Sequence, residues 1–192
     1  ISWNNGINVE DCENTIKKYK NLELDTGLIG GTRKEEIIEN ADQGGIGDSK
    51  ETHRVKGYME STEKQRNSLV YWIQETNLLT RSLFQFMLEA NDNKFRYNVF
   101  NYEQNGQNEK VQFTEYSVDN FYNWHQDRLD SSVNGTNRKL SLSVNLSNPE
   151  SYEGGDLEFY FGDFKFRGDE KNDFVIPKEM KNKGSIIVFP SF

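Results

Sequence analysis

The sequence has little of what several common protein classes need. A single cysteine, Cys12, excludes an internal disulfide scaffold and a metal site built from several thiolates. Histidine is almost as rare, with only two in 192 residues, which disfavours a centre with three or more imidazole ligands. No apolar run has the length of a membrane-spanning helix. We therefore expect a soluble, cytoplasmic protein without a membrane partner.

Positive charge is outnumbered by negative charge. The chain has 23 Lys and Arg against 31 Asp and Glu, which gives a formal net charge of -8. Binding to a nucleic-acid backbone requires clustered cations. We therefore expect no nucleic-acid partner and interpret the acidic balance as a contribution to solubility.

Aromatic residues are abundant, with 13 Phe and 9 Tyr, and they suit the strands of a packed β core. The patterns of apolar and turn-forming residues predict two helices, 9–22 and 76–91. They predict strands at 66–73, 95–102, 111–118, 121–127, 139–146, 156–161, 164–167, 173–176 and 184–189. Helices followed by many short strands favour an α+β fold with a two-sheet jelly roll, or double-stranded β-helix. We expect one domain over 1–192, with 1–94 supporting a jelly-roll core at 95–192 and the helices packed on the outer sheet.

The run FYNWHQD, residues 121–127, places a histidine and a carboxylate two positions apart. Because alternate side chains of a strand share a face, His125 and Asp127 should point the same way, and Tyr122 and Trp124 the other way. One imidazole and one carboxylate are two of the three ligands in a 2-His-1-carboxylate iron site. A half-buried histidine beside a carboxylate is the structural alternative.

Small polar residues alternate with apolar ones in the run LSLSVNL, residues 140–146. A strand here has Leu140, Leu142 and Val144 on one face and serines with Asn145 on the other. The polar face either lines a ligand pocket or is simply the solvent-exposed side of an antiparallel sheet.

Several blocks in one order carry a family resemblance: YNWHQD, RKLSLSVNLSNP, YEGGDLEF and GSIIVFPS. Residues 66–192 resemble the Fe(II)/2-oxoglutarate-dependent dioxygenases of the prolyl-4-hydroxylase-like branch. The resemblance implies Fe(II) bound by His125 and Asp127, 2-oxoglutarate as co-substrate and ascorbate as reductant. It implies hydroxylation of a C–H bond in a prolyl residue of a protein or in a free amino acid.

Two further residues receive a role from the resemblance. Tyr116 precedes His125 by nine residues, close to the spacing at which relatives contact the co-substrate through a tyrosine. Asn145 occupies a position where relatives often have an aromatic contact to 2-oxoglutarate. A core aromatic is the alternative for Tyr116, and the asparagine departs from the family pattern.

The family also has a second iron-binding histidine, followed by an arginine for the far carboxylate of 2-oxoglutarate, after the FPS block. The sequence ends at Phe192, and its other histidine, His53, lies in a polar, glycine-rich segment, 25–57, that predicts a long loop. We therefore expect a fragment that is inactive by itself. The alternatives are a non-enzymatic jelly-roll module that has lost its metal, and a cupin-like isomerase or lectin. The oligomeric state stays open.

Overall fold

The computed structural model describes residues 1–20, 22, 25–26, 65–73, 77–98, 111–127, 138–160, 173–176 and 178–191. The predicted strand at 164–167 and almost all of the predicted loop at 25–57, with His53, lie outside these residues. Contacts between residues divide the chain into two interleaved units. The first unit comprises 1–17, 81–97 and 140–190, and the second comprises 18–80, 98–139 and 191–192. The single-domain organisation stays a prediction.

Two α-helices, short helical turns and ten strands make up the described part. The helices are α1 (Val9–Lys20) and α2 (Leu78–Ala90), with a π-helical turn at Asn91–Phe95 and 3₁₀ turns at Pro149–Ser151 and Lys178–Lys181. The strands are β1 (Ser2–Trp3), β2 (Asp25–Thr26), β3 (Arg66–Asn67), β4 (Leu69–Ile73), β5 (Val111–Glu115), β6 (Phe121–Tyr122), β7 (Leu140–Val144), β8 (Glu158–Tyr160), β9 (Asp173–Val175) and β10 (Ile186–Pro190). All strand pairs among them are antiparallel, which is compatible with the α+β class. Jelly-roll closure stays a prediction. No helix in these ranges is long and apolar enough to cross a membrane.

The first unit is built on a sheet with the strand order β1-β10-β7. The core side of β10 is fully apolar, with Ile186 and Val188 at most 1% exposed. A turn at Gly184 leads into this strand, and the carbonyl of Gly184 accepts a 3.0 Å hydrogen bond from the amide of Ile7. This bond fixes the N-terminal segment, including the buried Cys12 on α1, against the start of β10.

The second unit contains the sheets β2-β4-β5 and β3-β6. Ser68 interrupts the predicted strand 66–73, so β3 pairs with β6 and β4 pairs with β5. The break brings Arg66 opposite Tyr122 in the β3-β6 pair. On the other sheet, the buried Tyr19 stacks on Tyr71 with ring centroids 5.4 Å apart. The change of partner at Ser68 is what places β3 beside the segment that contains His125.

Asparagines cap both helices at their N-termini. The Asn8 side chain accepts a 2.8 Å bond from the amide of Asp11, as its position before α1 predicts. Helix α2 begins at Leu78, and Asn77 caps its N-terminus. The side-chain oxygen of Asn77 accepts from the main-chain amide of Thr80, and the Thr80 hydroxyl accepts from the main-chain amide of Asn77, both at 2.9 Å. This reciprocal pair satisfies two backbone donors at the helix start.

Replacing Asn77 with alanine should lower the free energy of unfolding by about 1–2 kcal/mol, because it leaves the Thr80 amide without its acceptor. Asn77→Ser is the matched control, since its hydroxyl can accept the same bond and should retain most of the stability. Urea denaturation followed by circular dichroism measures both. Equal losses in the two variants would show that the cap does not account for the effect.

Candidate functional site

The segment around His125 is a strand only at its beginning. β6 ends at Tyr122, and residues 123–127 have no strand pairing. The prediction of a strand over 121–127 is therefore wrong beyond Tyr122. The amide of Asn123 donates to the carbonyl of Gln65 at 2.8 Å, and the Gln65 side-chain amide donates to the carbonyl of Trp124 at 2.8 Å. These two bonds hold the chain in a bend where a strand ladder would otherwise continue.

The bend brings the side chains of His125 and Asp127 together. The Nε2 atom of His125 lies 3.0 Å from Oδ1 of Asp127. The two side chains are 31% and 24% exposed, so solvent reaches both. The pairing that the i, i+2 spacing suggested is present, but a bend rather than a strand face produces it.

Both ring nitrogens of His125 face oxygen atoms. Nδ1 lies 2.7 Å from the carbonyl oxygen of Asn123. Because a carbonyl can only accept, Nδ1 carries a proton, and Nε2 faces the Asp127 carboxylate. A proton on Nε2 or a cation bound between the two atoms would each make this close approach favourable. The arrangement is therefore suited to a metal ion held by Nε2 and Oδ1.

The distance between these atoms also fits metal coordination. Two ligand atoms about 2.1 Å from one ion, on adjacent corners of an octahedron, lie about 3.0 Å apart. The bond from Nδ1 to the Asn123 carbonyl is the support that ligating histidines normally have on their other nitrogen. No set of three His, Cys, Asp or Glu side chains able to hold a metal occurs in the described ranges. The assignment of His125 and Asp127 as two ligands of a three-ligand iron site therefore stays a prediction.

The ring of Tyr122 supports the imidazole from the side. The centroids of the Tyr122 and His125 rings are 3.6 Å apart, and the ring planes differ by 10°. The predicted strand would have placed these two side chains on opposite faces, so the bend at 123–127 changes which residues meet. The guanidinium carbon of Arg66 lies 4.5 Å from the Tyr122 ring centroid. A buried cation, a phenol ring and the imidazole are therefore linked by consecutive contacts.

Arg138 braces the other end of the pair. Its Nη1 donates to the main-chain carbonyl of Asp127 at 3.0 Å, and burial lowers the pKa of its guanidinium. This bond holds the backbone from which the carboxylate projects. Arg138 was not among the residues that the sequence analysis selected, because local patterns do not relate two positions that are eleven residues apart.

Tyr116 lies in the same unit as the His–Asp pair. Although 49% of the residue is exposed, its hydroxyl is in the more enclosed environment beside Arg66 and Ser68. Burial raises the pKa of the phenol, and the charge and hydrogen bonds of these neighbours offset part of that rise. Tyr116 therefore stays a neutral hydrogen-bond donor at physiological pH. Its contact with a co-substrate stays a prediction.

Asn145 belongs to the first unit and has local partners there. Its side-chain amide donates to the carbonyl of Lys181 and, at 3.4 Å, to the hydroxyl of Tyr152. Its side-chain oxygen accepts from the amide of Ser147 at 3.2 Å. These bonds give Asn145 a structural role at the end of β7. Its predicted contact with 2-oxoglutarate stays a prediction.

Removing the ring that stacks on His125 should weaken metal binding without removing a ligand. Tyr122→Leu is expected to lower Fe(II) affinity about 10-fold, because the imidazole loses the surface that fixes its plane. Tyr122→Phe retains the stack and should stay within about twofold of the wild type. Anaerobic calorimetric titration with Fe(II) measures both. A loss as large in Tyr122→Phe as in Tyr122→Leu would argue against the stacking explanation.

Residues 111–192 match the model of the 2OG-Fe(II) oxygenase superfamily, and this range includes His125, Asp127, Tyr116 and Asn145. The match supports an oxygenase of this superfamily. No curated protein and no solved structure matches the chain.

Proposed function

From the match of residues 111–192 to the 2OG-Fe(II) oxygenase superfamily, we propose that the protein hydroxylates a C–H bond with Fe(II) and 2-oxoglutarate. The observation that carries this proposal is the convergence of His125 Nε2 and Asp127 Oδ1 at 3.0 Å, with a backbone carbonyl on the other ring nitrogen. That arrangement would supply two of the three protein ligands of a 2-His-1-carboxylate site.

In this proposal each residue of the site has a defined task. His125 and Asp127 would hold Fe(II), and the Asn123 carbonyl keeps the proton on Nδ1 so that Nε2 presents its lone pair. When bound, iron and 2-oxoglutarate supply an O₂-dependent oxidation that yields succinate, CO₂ and the hydroxylated product. Tyr122 fixes the plane of the imidazole, and Arg138 fixes the backbone of Asp127.

The substrate proposed is a prolyl residue of a protein or a free amino acid, with ascorbate keeping the iron reduced. The support is that the four sequence blocks from YNWHQD through GSIIVFPS resemble the prolyl-4-hydroxylase-like branch. The partly exposed His–Asp pair is consistent with a substrate that approaches from solvent.

The direct test is Fe(II)-dependent formation of succinate from 2-oxoglutarate by the full-length protein, measured with a panel of prolyl peptides and free amino acids. The proposal expects turnover that requires Fe(II), increases with ascorbate and is stimulated by one class of the panel. Chelation of the metal should abolish it. Absence of both metal binding and turnover would favour the non-enzymatic jelly-roll module instead.

A further inference from the structure

Gln65, the residue before β3, makes hydrogen bonds to the two residues that directly precede His125. Its main-chain carbonyl accepts from the amide of Asn123 at 2.8 Å, and its side-chain amide donates to the carbonyl of Trp124, also at 2.8 Å. These two bonds are called the Gln65 clamp below. They lie on either side of the peptide group that joins Asn123 to Trp124, so the clamp holds the chain at the point where it approaches the histidine.

The two bonds differ in what they require of the sequence. The first continues the β3-β6 register, in which Arg66 lies opposite Tyr122, by one residue. Its acceptor is a main-chain carbonyl, which any residue at position 65 would supply. The second requires a side-chain donor with the reach of a glutamine, and it forms where the chain leaves the strand ladder. A single side-chain amide therefore secures the start of the bend.

This amide acts on both features that place the imidazole. The Trp124 carbonyl belongs to the same planar peptide group as the His125 nitrogen, so holding that carbonyl also sets the direction in which the chain enters His125. The Asn123 carbonyl, which lies 2.7 Å from Nδ1 of His125, belongs to the peptide group between the two bonds of the clamp. The clamp thus constrains the backbone of the histidine and the acceptor that orients its ring.

Asp127 has a separate support. Its main-chain carbonyl accepts from Nη1 of Arg138 at 3.0 Å. The 3.0 Å separation of Nε2 and Oδ1 is therefore set between two independently held ends of a short span, 125–127. A pair of ligands held at the required distance loses less freedom on binding an ion than a mobile pair does. Loosening one end should weaken metal binding even when both ligands are present.

We propose that Gln65 is a positioning residue for the metal site. Its side-chain amide holds the Trp124 carbonyl, and through it His125, at the separation from Asp127 that one ion requires. Gln65 acts through the main chain and supplies no ligand. This role rests on the proposed function, because it assumes that His125 and Asp127 bind Fe(II).

The test separates the position of His125 from the stability of the fold, and it uses the full-length protein. Gln65→Met keeps the length of the side chain and removes the donor. Asn77→Ala, which removes a side-chain bond to the main chain in the same unit, is the control for lost stability. Amide hydrogen exchange of the metal-free protein is followed by NMR at Asn123 and at the buried Val70 of β4. Anaerobic calorimetric titration gives the Fe(II) affinity.

Gln65→Met should raise the exchange rate of the Asn123 amide about 10-fold and lower the Fe(II) affinity about 10-fold. Exchange at Val70 should stay within about twofold of the wild type, because the opening is local. Asn77→Ala should keep its Fe(II) affinity within about twofold. A Gln65→Met protein with the wild-type exchange rate at Asn123 or the wild-type Fe(II) affinity overturns the proposal. An equal loss of affinity in Asn77→Ala also overturns it.

A second variant covers the case in which Gln65→Met does not fold. Gln65→Glu has the shape of glutamine without its donor, and it is judged by hydrogen exchange alone because its charge would itself attract a cation. Faster exchange at Asn123 supports the clamp, and the wild-type rate overturns it. Absence of Fe(II) binding in the wild type refutes the proposed function and the metal role of the clamp with it. Fe(II) binding that does not depend on Gln65 refutes the clamp alone, so the two failures are distinguishable.

Discussion

In the full-length protein, alanine in place of His125 or Asp127 is expected to lower Fe(II) affinity by more than about 100-fold and to reduce 2-oxoglutarate turnover to background. Supporting contacts around metal sites are worth about 10- to 100-fold, and a direct ligand contributes more. Either substitution also removes one of the two atoms that converge at 3.0 Å. Anaerobic titration with Fe(II) and a succinate assay with added ascorbate measure the two effects.

The same substitutions should leave the fold largely intact. Both side chains are partly exposed, and replacing such residues usually changes the free energy of unfolding by about 1 kcal/mol or less. Gln126→Ala is the matched control, because Gln126 is an exposed residue between the two ligands. It should retain metal binding and stability. If both ligand variants keep near-native activity the iron site is wrong, and if both unfold the pair is structural.

Local patterns predicted most of the regular elements in the described ranges. The helix at 9–22 is observed at Val9–Lys20, and the strand at 139–146 is observed at Leu140–Val144. Both have an uninterrupted period and clear end signals, such as the Asn8 cap. The predicted strand at 95–102 is different, because its first residue, Phe95, ends a π-helical turn. The turn is held by the buried Asn91, whose side chain bonds the backbone of Tyr97 on both its donor and its acceptor side.

For the candidate site, the sequence identified the pair but not what supports it. His125 and Asp127 are two positions apart, so any tight local conformation brings them close. Gln65 and Arg66 reach the same region from about sixty residues away, through the β3-β6 pair. Such contacts depend on which strands pair, and local patterns do not specify that. The residues just before LVYWI are polar, and this composition alone does not predict a contact with the segment around His125.

A bend rather than a strand also changes the chemistry around the imidazole. On a strand face, His125 would have had Asn123 and Asp127 as its side-chain neighbours. In the bend it receives the carbonyl of Asn123 on Nδ1 and the ring of Tyr122 against its plane. The imidazole is therefore held in position and tautomer before any metal arrives. Preorganisation of this kind is what the Tyr122→Leu experiment measures.

The largest stability effect is expected from Gly184→Ala, with a loss of about 4 kcal/mol or more in the free energy of unfolding. Gly184 has a φ of +83°, which side-chain-bearing residues rarely adopt, and an added Cβ would overlap the carbonyl oxygen of Ile7. That carbonyl cannot easily withdraw. The Ile7 amide is bonded to the Gly184 carbonyl at 3.0 Å, and the Ile7 side chain is 5% exposed. The clash would separate the N-terminal segment from the start of β10.

Gly154→Ala is the matched control for this prediction. Gly154 has a similar φ of +72°, but an added Cβ there would meet no atom within 4 Å. It should therefore cost only the left-handed backbone conformation, about 1–2 kcal/mol. Urea unfolding of the two variants separates the steric contribution from the backbone contribution. A difference of less than about 1 kcal/mol between them would mean that the segment around Ile7 can move, and that the close approach to Gly184 does not hold β10 in place.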